Sequence, residues 1–450
     1  MSEINNLQDI SLLQANTPLN TWLSYLENSH FKSIDLGLDR IHRVAKDLDL
    51  LNPAPFVITV AGTNGKGTTC RLLETILLNI GLKVGVYSSP HLIRYNERVR
   101  IQNKELADAM HTESFAFIQK NKKESLTYFE FSTLSALYLF KQAQLDVVIL
   151  EVGLGGRLDA TNIIDNNIAI ITSIDIDHTD FLGSTREAIA FEKAGIFRRN
   201  NPAIIGEPNI PKTMLEQANK LHSKLACRDK DWSFQRQENS WSWKNANKLL
   251  TDLPIPQIPL ANAATVLATL DYLPFTISEN VIQQSLQEVE LLGRFQYLKQ
   301  EKRVKLAEIV SKPVEQLAQV IVDVGHNPHA ARYLSEKLTA LKANKLKGKI
   351  IAVCGILKDK DSQGVFEPLL PVIDYWYCVT LEGIRGQSGD ELLTTLQQIA
   401  KAQQLIIQGE SGHLIVDTIK NALATATKDD VIVVFGSFHT VGPLLETLSY

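Results

Sequence analysis

The segment Val57-Ile58-Thr59-Val60-Ala61-Gly62-Thr63-Asn64-Gly65-Lys66-Gly67-Thr68-Thr69 runs from β-branched apolar residues into glycines and then into a helical pattern. It predicts a strand, a tight turn and a helix that begins near Thr68. Such a turn aims several backbone N–H groups at one anion, and the helix N-terminus adds favourable dipole charge. Gly62, Thr63, Asn64, Gly65, Gly67 and Thr68 are therefore candidates for a phosphate cradle, with Lys66 reaching the outer phosphates of a nucleoside triphosphate. The usual phosphate loop carries Ser or Thr directly after its lysine, to hold Mg²⁺. Gly67 stands there instead, so a metal-dependent enzyme must find its hydroxyl ligand elsewhere. The bland alternative is a tight strand-to-helix turn with a surface lysine.

A chain of 450 residues exceeds what one core supports, and two domains are expected. Hydrophobic content of 44% and charged content of 21% describe an ordinary globular composition. The net charge of −4 offers no electrostatic case for nucleic acid or an anionic membrane as partner. Cys70, Cys227, Cys354 and Cys378 lack paired spacing and read as reduced thiols rather than a disulfide or zinc framework. The stretch from Met1 to Asn6 shows neither a positive nor an apolar leader region, and no run of 18 uncharged apolar residues marks a membrane span. A cytoplasmic protein is expected.

Strand and helix patterns alternate along the chain. Two amphipathic helices fall within 20–50, and a strand at 83–87 stops at Ser88-Ser89-Pro90-His91. A helix over about 132–144 precedes the most apolar strand, Asp146 to Glu151, and another strand at 168–173 leads into Asp177-His178-Thr179-Asp180. Near-continuous apolar strands interleaved with helices predict a parallel sheet covered on both faces, with ligands at the carboxyl ends of its strands. Residues 232–260 read as irregular structure or short antiparallel strands. The alternation restarts beyond a lysine-rich stretch. This gives an α/β protein with a phosphate-loop domain over 1–292, a linker with a charged insertion over 293–318, and a smaller Rossmann-like α/β domain over 319–450.

If the glycine loop holds ATP, Mg²⁺ needs a few hard ligands beside it. Ser88, ending its strand, can supply the missing hydroxyl. Glu151 ends the apolar strand as a single acid; a solvated strand end is its alternative. His178 lies in a polar loop, either as a ligand or as an ordinary loop histidine. Lys193 falls on a helical pattern where a surface charge is the simple reading. Gly153-Leu154-Gly155-Gly156-Arg157-Leu158-Asp159 fails the dinucleotide fingerprint, because Leu158 stands where its last glycine belongs. Asp323 ends a strand before Val324-Gly325-His326-Asn327-Pro328, and an acid there commonly meets a ribose hydroxyl. Asn262 is a helix N-cap or a site residue; Arg294 is an exposed linker charge or a phosphate clamp.

Together, Val60 to Thr68, Tyr87 to His91, Leu126 to Glu130 and Ile149 to Asn162 resemble the folylpolyglutamate synthases, and most closely their bifunctional dihydrofolate synthase branch in the Mur ligase superfamily. Asp177 to Asp180, Glu192 to Ile196, Leu292 to Gln296, Asp323 to Pro328 and Gly436 to Thr440 extend the likeness across nearly the whole chain. The resemblance implies that the loop with Lys66 cradles ATP, and that Ser88, Glu151 and His178 bind magnesium. It implies that Lys193 is carbamylated to N6-carboxylysine, helping to position a second metal, and that Asn262, Arg294 and Asp323 complete the nucleotide site. His326, in the Asp323 motif, joins Lys66 and Lys193 among the catalytic candidates. Thr127, Tyr128, Phe129 and Glu130, with Leu158, Asp159 and Ala160, match stretches that contact the pterin. The implied fold pairs a Mur-ligase-like central domain with the Rossmann-like domain, and the implied partners are dihydropteroate, reduced folates and L-glutamate, in a monomer.

The implied chemistry is acyl-phosphate activation of a pteroate or folate carboxylate by ATP, then attack by the amine of glutamate. Two departures stand out. Gly325 replaces the family's usual alanine, and the charged segment from Lys299 to about Gln319 is longer than the family's short connection. A Mur-type peptide ligase would need a further N-terminal domain, whereas only 56 residues precede Val57. A nucleotide-dependent switch ATPase and a small-molecule kinase remain as rivals of other classes.

Overall fold

The computed structural model describes residues 13–30, 32, 34–343 and 346–449, and the chain divides into two units, Met1–Glu290 and Leu291–Tyr450. The leader reading at Met1 to Asn6 lies outside the described residues. Among the described residues no helix is long and apolar enough to cross a membrane.

The first unit opens with helices α1 (Leu19–Asn28) and α2 (Asp39–Asp47), then β1 (Phe56–Ala61), α3 (Lys66–Asn79), β2 (Val84–Tyr87), β3 (Val99–Ile101) and β4 (Lys104–Glu105). Helices α4 (Asp108–Asn121) and α5 (Tyr128–Ala143) precede β5 (Val147–Glu151) and β6 (Ile168–Ile171). There follow α6 (Thr179–Leu182), α7 (Arg186–Ala194), β7 (Pro202–Ile205), α8 (Lys212–Leu221) and β8 (Lys224–Cys227). The unit closes with β9 (Trp232–Arg236), β10 (Trp241–Asn245), β11 (Leu249–Leu253), α9 (Leu260–Leu270) and α10 (Glu279–Glu288).

Eight strands form one sheet in the order β4-β3-β2-β5-β1-β6-β7-β8, in which β3 alone runs antiparallel to its neighbours β2 and β4. The expected two-sided burial holds, and strand alternation divides the apolar residues between two faces. Ile58, Val60, Val147 and Ile149 pack with Cys70, Leu73, Ile76 and Leu77 of α3. Val57, Val148 and Leu150 pack on the opposite side with α1, α2, α4 and α5. Ala61, Ala169 and Ile171 meet α7 and α8. The tryptophan-rich stretch forms a separate antiparallel sheet, β11-β10-β9. Trp241 and Trp243, two residues apart, both face the α3-side core, and their indole N–H groups donate to Pro254 O (2.9 Å) and Ala264 O (3.1 Å).

The second unit holds β12 (Gln296–Tyr297), α11 (Gln300–Val310), β13 (Gln319–Asp323), α12 (Pro328–Ala343), β14 (Ile350–Cys354) and α13 (Ser362–Phe366). It continues with β15 (Tyr375–Val379), α14 (Gly389–Ala402), β16 (Gly409–Gly412), α15 (Ile415–Thr425), β17 (Val431–Phe435) and α16 (Phe438–Thr447). Its sheet runs β12-β13-β17-β14-β15-β16, with β12 alone antiparallel. The stretch 293–318 thus contributes an edge strand and a helix to this unit. Lys312 donates to Leu423 O and Ala424 O (both 2.8 Å), the last-turn carbonyls of α15, where a cation meets the negative end of the helix.

Candidate active site

The register sets the first unit's site. Tyr87 of β2 and Val60 of β1 both pair with Leu150–Glu151 of β5, so Ser88, Glu151 and the glycine loop leave adjacent strand ends. On the other side of β1, Ala61 pairs with Ile171, which brings the exit of β6 beside the loop.

That exit clamps the loop. Thr63 N–H donates to Ser173 O (2.9 Å) and Asn64 N–H to Ser173 Oγ (3.1 Å). Asn64 O accepts from Thr172 Oγ1 (2.6 Å) and Ser173 Oγ (3.1 Å), while Thr63 Oγ1 donates to Asp175 O (3.0 Å). No sequence motif singles out Thr172 and Ser173; their hydroxyls at a strand's carboxyl end are the signal that marks them. Gly65 caps α3 at φ +85° without any side-chain bond, so the first-turn N–H groups of Lys66, Gly67 and Thr68 face outward from the helix ladder. Lys66 Nζ donates to Gly62 O (3.1 Å) and Thr63 O (3.4 Å), folded over the loop it is expected to serve.

Asn262 is not an N-cap. Pro259 holds that position in α9, and Asn262 sits in the first turn, donating to Thr68 Oγ1 (2.7 Å). A Cβ on Gly65 would lie 2.5 Å from its Oδ1, so loop and amide approach as closely as glycine permits.

A small pocket is lined by Gly62, Thr63, Lys66, Asp177, His178, Lys193, Leu182 and the backbone turn Val152 to Gly155. Lys193 is no surface charge: it is 4% exposed, and burial together with the nearby Lys66 ammonium lowers its pKa to about 7, against the opposing pull of Asp177 and Asp159. His178 precedes α6 at φ +53° and is exposed, its N–H donating to Asp177 Oδ1 (2.8 Å). Glu151 is buried, and neither it nor Ser88 lines this pocket. Ser88 Oγ donates to Glu97 O (3.3 Å) and accepts from Arg100 Nη1 (3.2 Å). Among the described residues no three His, Cys, Asp or Glu side chains gather as a ready metal cage. The hydroxyl of Ser88 and the carboxylate of Glu151, at neighbouring strand ends, are hard oxygen groups of the kind Mg²⁺ takes, beside waters and phosphate oxygens rather than an all-protein cage.

The pterin candidates divide by what they touch. Thr127 and Glu130 form the capping box of α5, and Glu130 also accepts from Arg40 Nη2 at 2.9 Å on both oxygens. Asp159 accepts from Gly153 N–H (3.0 Å), Leu154 N–H (2.9 Å), Thr161 N–H (3.0 Å) and Thr161 Oγ1 (2.6 Å); burial lifts its pKa above the ordinary carboxylate value. Ala160 is buried beside it. Tyr128, Phe129 and Leu158 are partly exposed; Arg98 lies 5.4 Å from the Tyr128 ring centroid, and Phe129 presses on Gly153.

In the second unit, Asp323 Oδ1 accepts from Gly325 N–H (2.7 Å) and Oδ2 from Phe295 N–H (2.8 Å), and burial raises its pKa despite Arg294. The Arg294 guanidinium lies 5.7 Å from the Phe438 ring centroid, and the His326 ring 6.3 Å from the same ring. His326 Nδ1 is 3.0 Å from Val324 O.

A family model for the Mur ligase middle domain matches residues 60–254, and one for the Mur ligase glutamate ligase domain matches 307–438. The chain is 68% identical over 438 residues to the dihydrofolate synthase/folylpolyglutamate synthase of Haemophilus influenzae, covering 97% of this chain and 98% of that one. It belongs to the dihydrofolate synthase/folylpolyglutamate synthase family. The fold agrees with solved members. Escherichia coli FolC in complex with DHPP and ADP superposes at a TM-score of 0.88 with 49% identity, over 97% of this chain and 99% of that one. A bifunctional folylpolyglutamate synthase/dihydrofolate synthase with Mn, AMPPNP and L-glutamate bound superposes at 0.86 with 49% identity, over 97% and 99%. The two Mur ligase matches fall one in each unit of this family member.

Proposed function

We propose that this chain is an ATP-dependent amide ligase that adds L-glutamate to dihydropteroate, giving dihydrofolate, and to reduced folates, giving polyglutamates. The observation that carries the reading is the meeting of a phosphate loop with a second, buried lysine, Lys66 and Lys193 lining one pocket with Asp177 and His178.

Lys66 exchanges the carbonyls of Gly62 and Thr63 for the outer phosphates of ATP, and the first-turn N–H groups of α3 hold the remaining phosphate oxygens. Ser88, Glu151 and His178 are the proposed protein ligands of Mg²⁺, which would offset the phosphate charge. Lys193 is proposed to carry CO₂ as N6-carboxylysine. Its lowered pKa keeps the nucleophilic neutral amine populated near neutrality, and the carbamate replaces a buried cation with hard oxygens. Asn262 steadies the loop through Thr68. On the second unit, Asp323 is assigned to the ribose and Arg294 to phosphate, with His326 in the catalytic set.

The substrate carboxylate takes the γ-phosphoryl group and ADP leaves; the glutamate amine then attacks the acyl carbon and phosphate departs. The chain's task is to position and shield these groups, because an acyl phosphate in water hydrolyses. Tyr128, Phe129 and Leu158 are proposed to face the pterin, with Thr127, Glu130, Asp159 and Ala160 holding them in place. The enzyme is proposed to act in the cytoplasm as a monomer, without nucleic-acid or membrane partners.

The test is ADP release from purified protein with ATP, Mg²⁺ and glutamate, with dihydropteroate or a reduced folate as acceptor and products identified by mass. Turnover with both, each gaining one glutamate, is expected. Turnover with folate alone would restrict the activity to polyglutamylation, and release without an amide product would overturn the ligase reading.

A further inference from the structure

Glu74 lies two turns into α3, the helix that begins at Lys66, and is wholly buried. Two arginines reach it. Arg71 Nη1 donates at 3.0 Å, and Arg100 donates through Nε (3.2 Å) and Nη2 (3.0 Å). The third nitrogen of Arg100, Nη1, donates to Ser88 Oγ (3.2 Å) and Glu97 O (3.4 Å). Arg100 can make this reach because β3 returns antiparallel to β2, setting it opposite Val86, two residues before Ser88.

A buried ion pair is weak evidence for stability, since desolvation offsets its attraction and apolar residues serve as well. Arg100 also touches Ser88, and that contact gives the pair a role beyond stability to test. A serine hydroxyl has one proton and two acceptor lone pairs. Ser88 gives the proton to Glu97 O and one lone pair to Arg100, which leaves one lone pair with its direction set. In the usual phosphate loop the metal-binding hydroxyl follows the lysine on the same helix, so the backbone spaces the two. With Gly67 in that position, the hydroxyl sits on another element and needs another link to α3.

We infer that Arg100, anchored by Glu74, is a positioning residue that orients the Ser88 hydroxyl for the divalent cation and ties it to the helix bearing Lys66. The pairing with Glu74 also balances the guanidinium charge, so that it orients the hydroxyl with less repulsion of the cation. This rests on the reading of Ser88 as a cation ligand.

The experiment measures the Mg²⁺ concentration for half-maximal ADP release, and Mn²⁺ affinity by electron paramagnetic resonance in the presence of a non-hydrolysable ATP analogue. Arg100→Met should raise both constants about tenfold, the scale seen when a group behind a metal ligand is removed. Glu74→Leu with Arg100→Met, which replaces the pair by apolar side chains, should show the same shift and serves if the single variant folds poorly. On a Ser88→Ala background, Arg100→Met should add nothing further. A lowered melting temperature with an unchanged metal requirement would mean a purely structural pair and overturn the inference, as would independent, multiplying effects of the two substitutions. Ser88→Ala with an unchanged metal requirement would instead remove Ser88 from the cation site, and the inference with it.

Discussion

Asp159→Asn separates a loop-holding carboxylate from a substrate-binding one. Both oxygens of Asp159 are fully used: Oδ2 by the N–H groups of Gly153 and Leu154, Oδ1 by the N–H and hydroxyl of Thr161. Asparagine keeps one acceptor oxygen. Turned toward Gly153 and Leu154, it presents its amide to Thr161, whose hydroxyl can rotate to accept but whose N–H cannot. One buried N–H then stays unmet, at about 1–3 kcal/mol. Burial already disfavours the ionised carboxylate, so a neutral side chain recovers part of that loss. A net destabilisation of about 2 kcal/mol is expected, and about 4 kcal/mol for Asp159→Ala, which abandons every acceptor. The assay is urea unfolding combined with hydrogen exchange of peptides spanning Gly153 to Thr161. If local opening dominates, about 2 kcal/mol accelerates exchange roughly 30-fold. Wild-type stability and protection, together with a raised KM for the pterin acceptor alone, would refute the reasoning and give the carboxylate to the ligand.

Three further outcomes follow from the phosphate loop and its neighbour. Gly65→Ala must adopt φ +85° at about 1–2 kcal/mol and push Asn262 from Thr68; calorimetric ATP affinity should fall about tenfold or more, and an unchanged affinity would show that this close approach is dispensable. For Lys193, ¹³CO₂ incorporation read by NMR should rise with pH through about 7 and level off above it, following the neutral amine. In CO₂-free solution the fold disfavours the charged form, so between about 7 and the ordinary 10.5 the unfolded chain binds more protons and stability should rise with pH relative to Lys193→Met; parallel profiles would contradict the lowered pKa.

Much of the architecture was legible because it is local. The runs Val57 to Ala61, Val147 to Glu151 and Ile168 to Ile171 are short, apolar and bounded by glycine or polar residues, and each is a parallel strand. The tryptophan stretch resolved into three antiparallel strands because Trp241 and Trp243 alternate onto one face, a pattern too short to separate from irregular structure by periodicity alone. Residues 293–318 read as a linker because their charge hides the pairing of Gln296 and Tyr297 with Val322 and Ile321. From the residues alone Lys193 reads as a surface charge, since a helical pattern does not reveal which face another element covers.

The order of residues by itself determined the strand-to-helix phosphate loop, the lysine within it, the absence of a hydroxyl at Gly67, and the acids and hydroxyls at strand ends. These depend on neighbours along the chain, where backbone sterics and side-chain period act directly. Only the tertiary structure decided which groups meet. Asn262 reaches Thr68 across 194 positions, Ser173 clamps Asn64 across 109, and Arg100 links Glu74 to Ser88 through a strand reversal. Sheet order and register set these distances, and burial then lowers the Lys193 pKa and raises that of Asp159. Desolvation depends on everything packed around a group, which no local stretch of sequence contains.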